Sequence, residues 1–247
     1  MNNILAIAGH ETRRIFVSPL AWAVLAITQF IFAYIFSGAV VQFIRNSDMG
    51  DQQVGVSEYV GTGLYGSATI ILLLVMPLMT MRLFSEERKA GTLTLLFSAP
   101  VSLTEIVLGK FLGLLAFVAV MIFFLAAMPA ALLPAVDLDV GRLAAGLLGL
   151  FLLTMAFGAC GLFISSLTRE PTIAAIGSFA ALLLIWLLKM PASFDNAFAK
   201  VFDYLSLITH YQDLISGLFD SSDVAYYLLF TVLFLWLTVL RLDIERN

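Results

Sequence analysis

Apolar residues run in long stretches along this chain, and polar positions gather between them. A helix that crosses the roughly 30 Å hydrocarbon core of a bilayer needs about 20 apolar residues. Stretches of about that length occur at 20–41, 64–81, 111–133, 143–167, 172–188 and 225–240. The first follows Ser18-Pro19, a pair suited to a helix start because Ser caps free N–H groups and Pro fits the first turn. Upstream, Ile4, Ile7, Ala8 and Ile15 share one helical face while Asn3, Glu11 and Arg14 lie elsewhere, which predicts a short helix along the membrane surface. Pro77 predicts a kink in the second stretch. The polar turn holding Asp137, Asp139 and Arg142 predicts a tight hairpin between the third and fourth.

Two polar segments are too patterned to be plain connectors. In 190–224, Phe194, Phe198, Val201, Phe202 and Leu205 recur at helical spacing, as do Tyr211, Leu214, Ile215, Leu218 and Phe219, with the acidic residues mostly on other faces. That pattern predicts two short amphipathic helices at or dipping into the membrane surface. The segment 82–110 reads RLFSEERKAGTLTLLFSAPVSLTEIVLGK. Its charged start, Glu86 to Lys89, is expected to continue the second helix beyond the membrane and to end at Gly91. The apolar stretch Thr92 to Phe97 follows, and Ser98-Ala99-Pro100 breaks it. Ser102 with Glu105 three residues later forms a capping-box pattern for the next helix. A connector needs no apolar, capped insertion, so the segment is expected to dock on another surface.

Composition agrees with the pattern. Of the 247 residues, 61% are hydrophobic and 12% charged, against about half and about 25% in soluble domains. The expectation is an all-α integral membrane protein with six transmembrane helices and one domain over 1–247. Its loops are too short to fold alone, so any energy source acts from a separate chain. No small-residue cleavage site follows a short apolar core near the start, so the first span is expected to be retained. Lys and Arg gather on the cytoplasmic side of membranes. With both termini inside, nine of the thirteen cations fall there (Arg13, Arg14, Arg82, Arg88, Lys89, Lys110, Arg169, Arg241 and Arg246) and ten of the seventeen acidic residues fall outside. The net charge of −4 without a basic run argues against nucleic-acid binding.

Candidate chemistry within the chain is sparse. The six apolar cores carry no ionisable residue, which argues against a proton-coupled pump of ordinary design. A serine hydrolase needs a base beside its nucleophile in the membrane, whereas His10 and His210 lie outside the spans. Glu86-Glu87-Arg88 lacks the spacing and the His or Asn partners of membrane-embedded prenyl-protein peptidases. Met76, Met79 and Met81 without Cys or His read as helix packing instead of a copper site. Gly109-Lys110 is no phosphate loop, because Thr104 and Phe111 stand where Gly and Ser or Thr belong. Cys160 alone makes no intramolecular disulfide. Gly158 and Gly161 would permit close helix packing, either at a subunit interface or only within one subunit.

The segment 82–110 resembles the hallmark E-E-x-x-G-T-L, then S-x-P-V-S-x-x-E and G-K, of permease subunits of ABC-2-type ATP-binding cassette transporters. The matching residues are Glu86, Glu87, Gly91, Thr92, Leu93, Ser98, Pro100, Val101, Ser102, Glu105, Gly109 and Lys110. Thr94 departs from the pattern, standing where the family often has an acidic residue. Ser18-Pro19 is similar to the gliding-motility type of these permeases; Ser165 to Thr168 resembles the end of their fourth span, and Leu205-Ser206-Leu207 with His210 their outer loop.

The resemblance implies a type V exporter-like permease fold and a non-catalytic subunit in a bacterial inner membrane. Its partners would be two copies of a cytoplasmic ATPase, a second permease subunit, identical or homologous, and membrane lipid. No cofactor is expected on this chain; ATP and magnesium would sit on the ATPase. The implied coupling interface comprises Glu86, Glu87, Arg88, Gly91, Thr92, Leu93, Ser98, Pro100, Ser102 and Glu105, with Arg169 and Glu170 after the fourth span. Export or conformational work driven by ATP is the function implied; the alternatives are a six-span scaffold or channel without ATPase and an intramembrane hydrolase.

Overall fold

The computed structural model describes residues 2–48, 55–93, 96, 100–134, 136, 138–187, 206–217 and 219–246. The described residues form helices α1 (Asn2–Val17), α2 (Pro19–Asp48), α3 (Val56–Val60), α4 (Gly66–Thr80), α5 (Ser85–Lys89), α6 (Leu103–Ala130), α7 (Val140–Leu167), α8 (Pro171–Leu187), α9 (Leu207–Ile215) and α10 (Ser221–Arg246). A π-helical turn, Gly61–Tyr65, joins α3 to α4. Five helical runs are long and apolar enough to cross a membrane: 19–45, 57–89, 103–130, 140–167 and 221–246. The fifth expected span appears as α8, whose 17 residues reach about 25 Å at 1.5 Å per residue.

The ends of the apolar stretches are extended by capping. Ser102 accepts from the Glu105 N–H while Glu105 accepts from the Ser102 N–H, the expected capping box, so α6 starts eight residues before the apolar core at Phe111. Asp139 caps α7 by accepting from the Arg142 N–H at 3.0 Å, closing the expected hairpin with α6. At the start of α10 the Ser222 N–H donates to Asp220 at 2.9 Å and holds that carboxyl below the usual carboxylate range.

Helix α7 is the hub. It packs against α4, α6, α8, α9 and α10, and 72% of its most apolar window is buried, against 22% for α2. Glycines make this possible. A Cβ on Gly158 would sit 3.0 Å from Leu114 and 3.1 Å from Met76, and one on Gly161 would collide with Thr80. Gly146 and Gly149 likewise admit Tyr65 and Leu214. Gly158 and Gly161 are therefore spent inside the chain, where close backbone approach gives packing that lipid cannot supply. Met76 and Met79 of the rejected copper group are buried as core filler.

The first helix differs from its expectation. Expected along the membrane surface, α1 instead runs alongside the first four turns of α6: Asn3 meets Glu105, Ile7 meets Gly109, Glu11 meets Gly113 and Phe16 meets Phe117. The seat is the pair Gly109 and Gly113, spaced as a small-xxx-small groove. A Cβ on either would come within 2.6 Å of Ile7 or Glu11. Glu11 is 2% exposed and shares the face of Ile4, Ile7, Ala8 and Ile15, as the 3.6-residue period requires, so setting it apart from that face is corrected.

At the opposite end of the bundle, the second of the two expected amphipathic helices is α9, with Tyr211, Leu214 and Ile215 buried; Phe219 beyond it is exposed. The first, around Phe194 to Leu205, lies outside the described residues, as does Leu218. Tyr211 donates to the Tyr65 carbonyl at 2.8 Å and Tyr227 to the Leu207 carbonyl at 2.6 Å. His210 pairs with Asp223 at 2.7 Å and stacks on Tyr226, fastening α9 to α10.

Gly161→Val is expected to destabilise the chain by about 1–3 kcal/mol, the usual cost of overpacking a filled core, while leaving oligomeric size unchanged. Thermal unfolding followed by tryptophan fluorescence, with size-exclusion chromatography in detergent, reads both.

Candidate functional site

The segment after α4 begins with a break, not with the expected continuous helix. Helix α4 stops at Thr80, residues 81–84 turn, and α5 restarts at Ser85. Ser165 of α7 explains the break. Its hydroxyl accepts from the N–H groups of Phe84 and Ser85, both at 3.2 Å, and donates to the Met81 carbonyl at 3.1 Å. The backbone groups released by the turn find a partner in the neighbouring helix, as buried backbone groups must.

Helix α5 is one and a half turns long, with Glu86 and Glu87 in its first turn and Arg88 and Lys89 in its last. That order matches the helix dipole. Gly91 ends it as expected, at φ +71°, where a side chain would be strained. The Thr92 N–H returns to the Glu87 carbonyl at 3.0 Å, and Leu93 turns inward to 4% exposure.

A buried charge cluster anchors this short helix. The Lys110 ammonium lies 2.6 Å from Glu11 and 2.6 Å from Glu87, 5.3 Å from the centre of the Phe84 ring. The Lys110 side chain is 2% exposed and that of Glu11 3%. Arg14 adds a second cation, donating to Glu87 and to the Arg82 carbonyl at 3.1 Å each and pairing with Glu11 at 3.4 Å. One lysine thereby joins α1, α5 and α6. Two further pairs hold the other flank. Arg88 pairs with Glu245 at the end of α10, and exposed Lys89 pairs with Glu170 after α7 at 2.7 Å.

The residues expected at a coupling interface divide into two groups. Glu87, Arg88 and Leu93 turn inward and hold the segment; Glu105 closes the capping box and also accepts from Asn3 at 3.3 Å. Glu86, Gly91, Thr92, Pro100, Ser102, Arg169 and Glu170 face outward at the same end of the bundle. Ser98 and Thr94 lie outside the described residues. Sequence reasoning placed Lys110 only as the end of a motif and missed Glu11, Arg14 and Ser165 as anchors. The signal that finds the first two is the groove Gly109-x-x-x-Gly113, which seats α1 beside Lys110.

Removing one partner of a buried pair leaves the other charge unpaired, which costs about 3–5 kcal/mol. Lys110→Met is therefore expected to destabilise the chain by about that amount. The double variant Glu11→Leu, Lys110→Met should recover a good part of the loss, as read from midpoints of thermal unfolding in a common detergent.

Among the described residues no cluster of three or more His, Cys, Asp or Glu forms a metal site. What remains is a membrane-embedded helical bundle with a short, charged and firmly anchored helix at one end. No curated protein matches the chain. The family described as ABC-2 family transporter protein matches residues 5–243, which include every anchor except Glu245. Proteins of that family work with separate ATPase subunits, and so a multi-pass helical chain whose best-organised polar surface is an anchored end segment, matched over nearly its whole length, belongs to the ABC-2 transporter family as a non-catalytic membrane permease component.

Proposed function

We propose that residues 86–102, with 168–171 beside them, form the surface on which cytoplasmic ATPase subunits seat, and that this chain converts their closure into tilting of its helices. In this reading the whole of 1–247 is one transmembrane domain with six spans and both termini in the cytoplasm of a bacterium, embedded in the inner membrane. It pairs with a second permease, and the complex exports its substrate or performs mechanical work; the Ser18-Pro19 opening supports the gliding-motility type.

One observation carries the proposal. Helix α5 is too short to be stable alone, yet it is clamped to α1 and α6 through Lys110, to α7 through Ser165 and to α10 through Arg88. A push on its outward face is transmitted to four helices at once. Rigid elements with few alternative arrangements are what allow a ligand-driven change at one place to bias the packing elsewhere. The charge asymmetry between the two ends supports the orientation. Nucleotide chemistry stays with the ATPase; the residues here only receive and distribute motion.

Thr92→Arg combined with Glu170→Arg alters the outward face and sacrifices one exposed ion pair, worth at most about 1 kcal/mol, and the exposed hydrogen bond from the Thr92 hydroxyl to the Glu87 carbonyl. In proteoliposomes containing the cognate ATPase, this variant is expected to lose about tenfold or more of the permease-stimulated ATP hydrolysis and to co-purify less ATPase. Unchanged stimulation and co-purification would overturn the docking proposal.

A further inference from the structure

Beside the anchored helix lies a cavity of about 430 Å³, within the range of small-molecule sites, about 300–1,000 Å³. It opens between the start of α2 and the end of α4, the level at which two membrane-spanning helices leave the apolar layer. Its inner wall is apolar, built from Leu20, Leu78 and Met79, and its rim carries Arg82 and Glu86. Trp22, one turn along α2, is 56% exposed and spends its indole N–H on the Phe16 carbonyl at 2.7 Å. An exposed tryptophan at a helix end is the usual mark of the membrane–water boundary.

The two rim charges are available for recognition. Among the described residues no side chain pairs with the Arg82 guanidinium, while its carbonyl accepts from Arg14. Glu86 meets Arg14 only at 3.6 Å, beyond hydrogen-bonding distance, and its side chain is 51% exposed. Arg14 itself is engaged by Glu11 and Glu87. Arg14 and Glu87 also line the cavity but are held in the Lys110 cluster, so the groups least engaged within the chain are the Arg82 guanidinium and the half-exposed Glu86 carboxylate, whose ion pair with Arg14 is long, at 3.6 Å.

From this complementarity we propose that the cavity is a binding site for a membrane phospholipid whose zwitterionic headgroup ends in a primary amine. Arg82 would take the phosphate, for which a planar guanidinium is well shaped. Glu86 would accept hydrogen bonds from the ammonium, and Leu20, Leu78 and Met79 would cover the glycerol and the first acyl carbons. A choline headgroup carries a positive charge but no N–H donor, and a glycerol headgroup carries no positive charge; neither satisfies Glu86 in the same way. The bound lipid would brace α5 beside the Lys110 cluster, taking Glu86 and leaving Gly91, Arg169 and Glu170 to the docking surface, and would make coupling sensitive to bilayer composition.

The full-length permease alone is incubated with vesicles holding equal amounts of phosphatidylethanolamine, phosphatidylcholine and phosphatidylglycerol, and retained lipid is read by native mass spectrometry. No ATPase is present, so failure here is separate from failure of the docking proposal. A single phosphatidylethanolamine is expected to be retained over each of the others by about fivefold, the factor that about 1 kcal/mol confers. Glu86→Gln should abolish that preference, Arg82→Gln should reduce retention of all three lipids, and Arg82→Lys, which keeps the charge but not the planar fork, should restore part of it. Arg13→Gln, on an exposed position away from the cavity, should change nothing. Equal retention of the three lipids by the unaltered chain, or a preference unmoved in Glu86→Gln, would overturn the proposal.

Discussion

The arrangement of the end of the bundle that carries α5 depends on one buried ammonium group. Lys110 sits two turns inside a long apolar helix, where an unpaired charge would be costly, and it is tolerated because Glu11 and Glu87 both reach it at 2.6 Å. Those two carboxylates come from segments far apart in the chain, so satisfying one lysine fixes the position of α1 and of α5 together. Arg14 then balances the second carboxylate and ties the same cluster to the turn at Arg82. The cost of leaving any member unpaired makes this a positional constraint more than a source of net stability. It makes a helix of five residues behave as part of the bundle.

The constraint works only because the backbones can approach. Gly109 and Gly113 let α1 lie against α6 closely enough for Glu11 to meet Lys110, and Gly158 and Gly161 let α4 meet α7 where Ser165 receives the turn at Phe84. Small residues and buried polar groups therefore act in pairs. The glycines bring two helices within reach, and a single polar side chain sets their register. At the other end the same economy recurs, with Gly146 admitting Tyr65, whose carbonyl accepts from Tyr211, and His210 holding Asp223. In lipid, where apolar burial between helices gains little, such close contacts and hydrogen bonds carry the specificity of packing.

Much of this was legible from local pattern. Five of the six apolar stretches matched helices long enough to span a membrane and the remaining one a shorter helix, the Ser102–Glu105 pair formed its capping box, Gly91 ended α5, and Asp139 capped the hairpin into α7. Each depends on residues within a few positions of one another. Misplaced were the features whose partners are distant. Glu11 is set apart from the face of Ile4, Ile7, Ala8 and Ile15 in the sequence reading, although about 100° per residue places it in the middle of that face; what only the fold supplies is its partner, the ammonium 99 residues away in α6. The continuous helix expected through Glu86 is interrupted because Ser165, some 80 residues later, supplies the hydrogen bonds that the turn at 81–84 requires.

The sequence by itself determined that the chain lives in a membrane, where its long helices fall and where each is capped, because hydropathy over 20 residues and capping over four are local quantities. Its motif also marked the segment that sets this family apart. The tertiary structure decided which of the motif's described residues face outward and which are structural, that Gly158 and Gly161 serve the interior of one chain, and that α1 packs against α5 and α6 through the Lys110 cluster. Those outcomes depend on charge pairing and backbone approach between segments remote in sequence. The energy of a buried ion is settled by whatever neighbour the fold brings to it, and no pattern along one helix contains that neighbour.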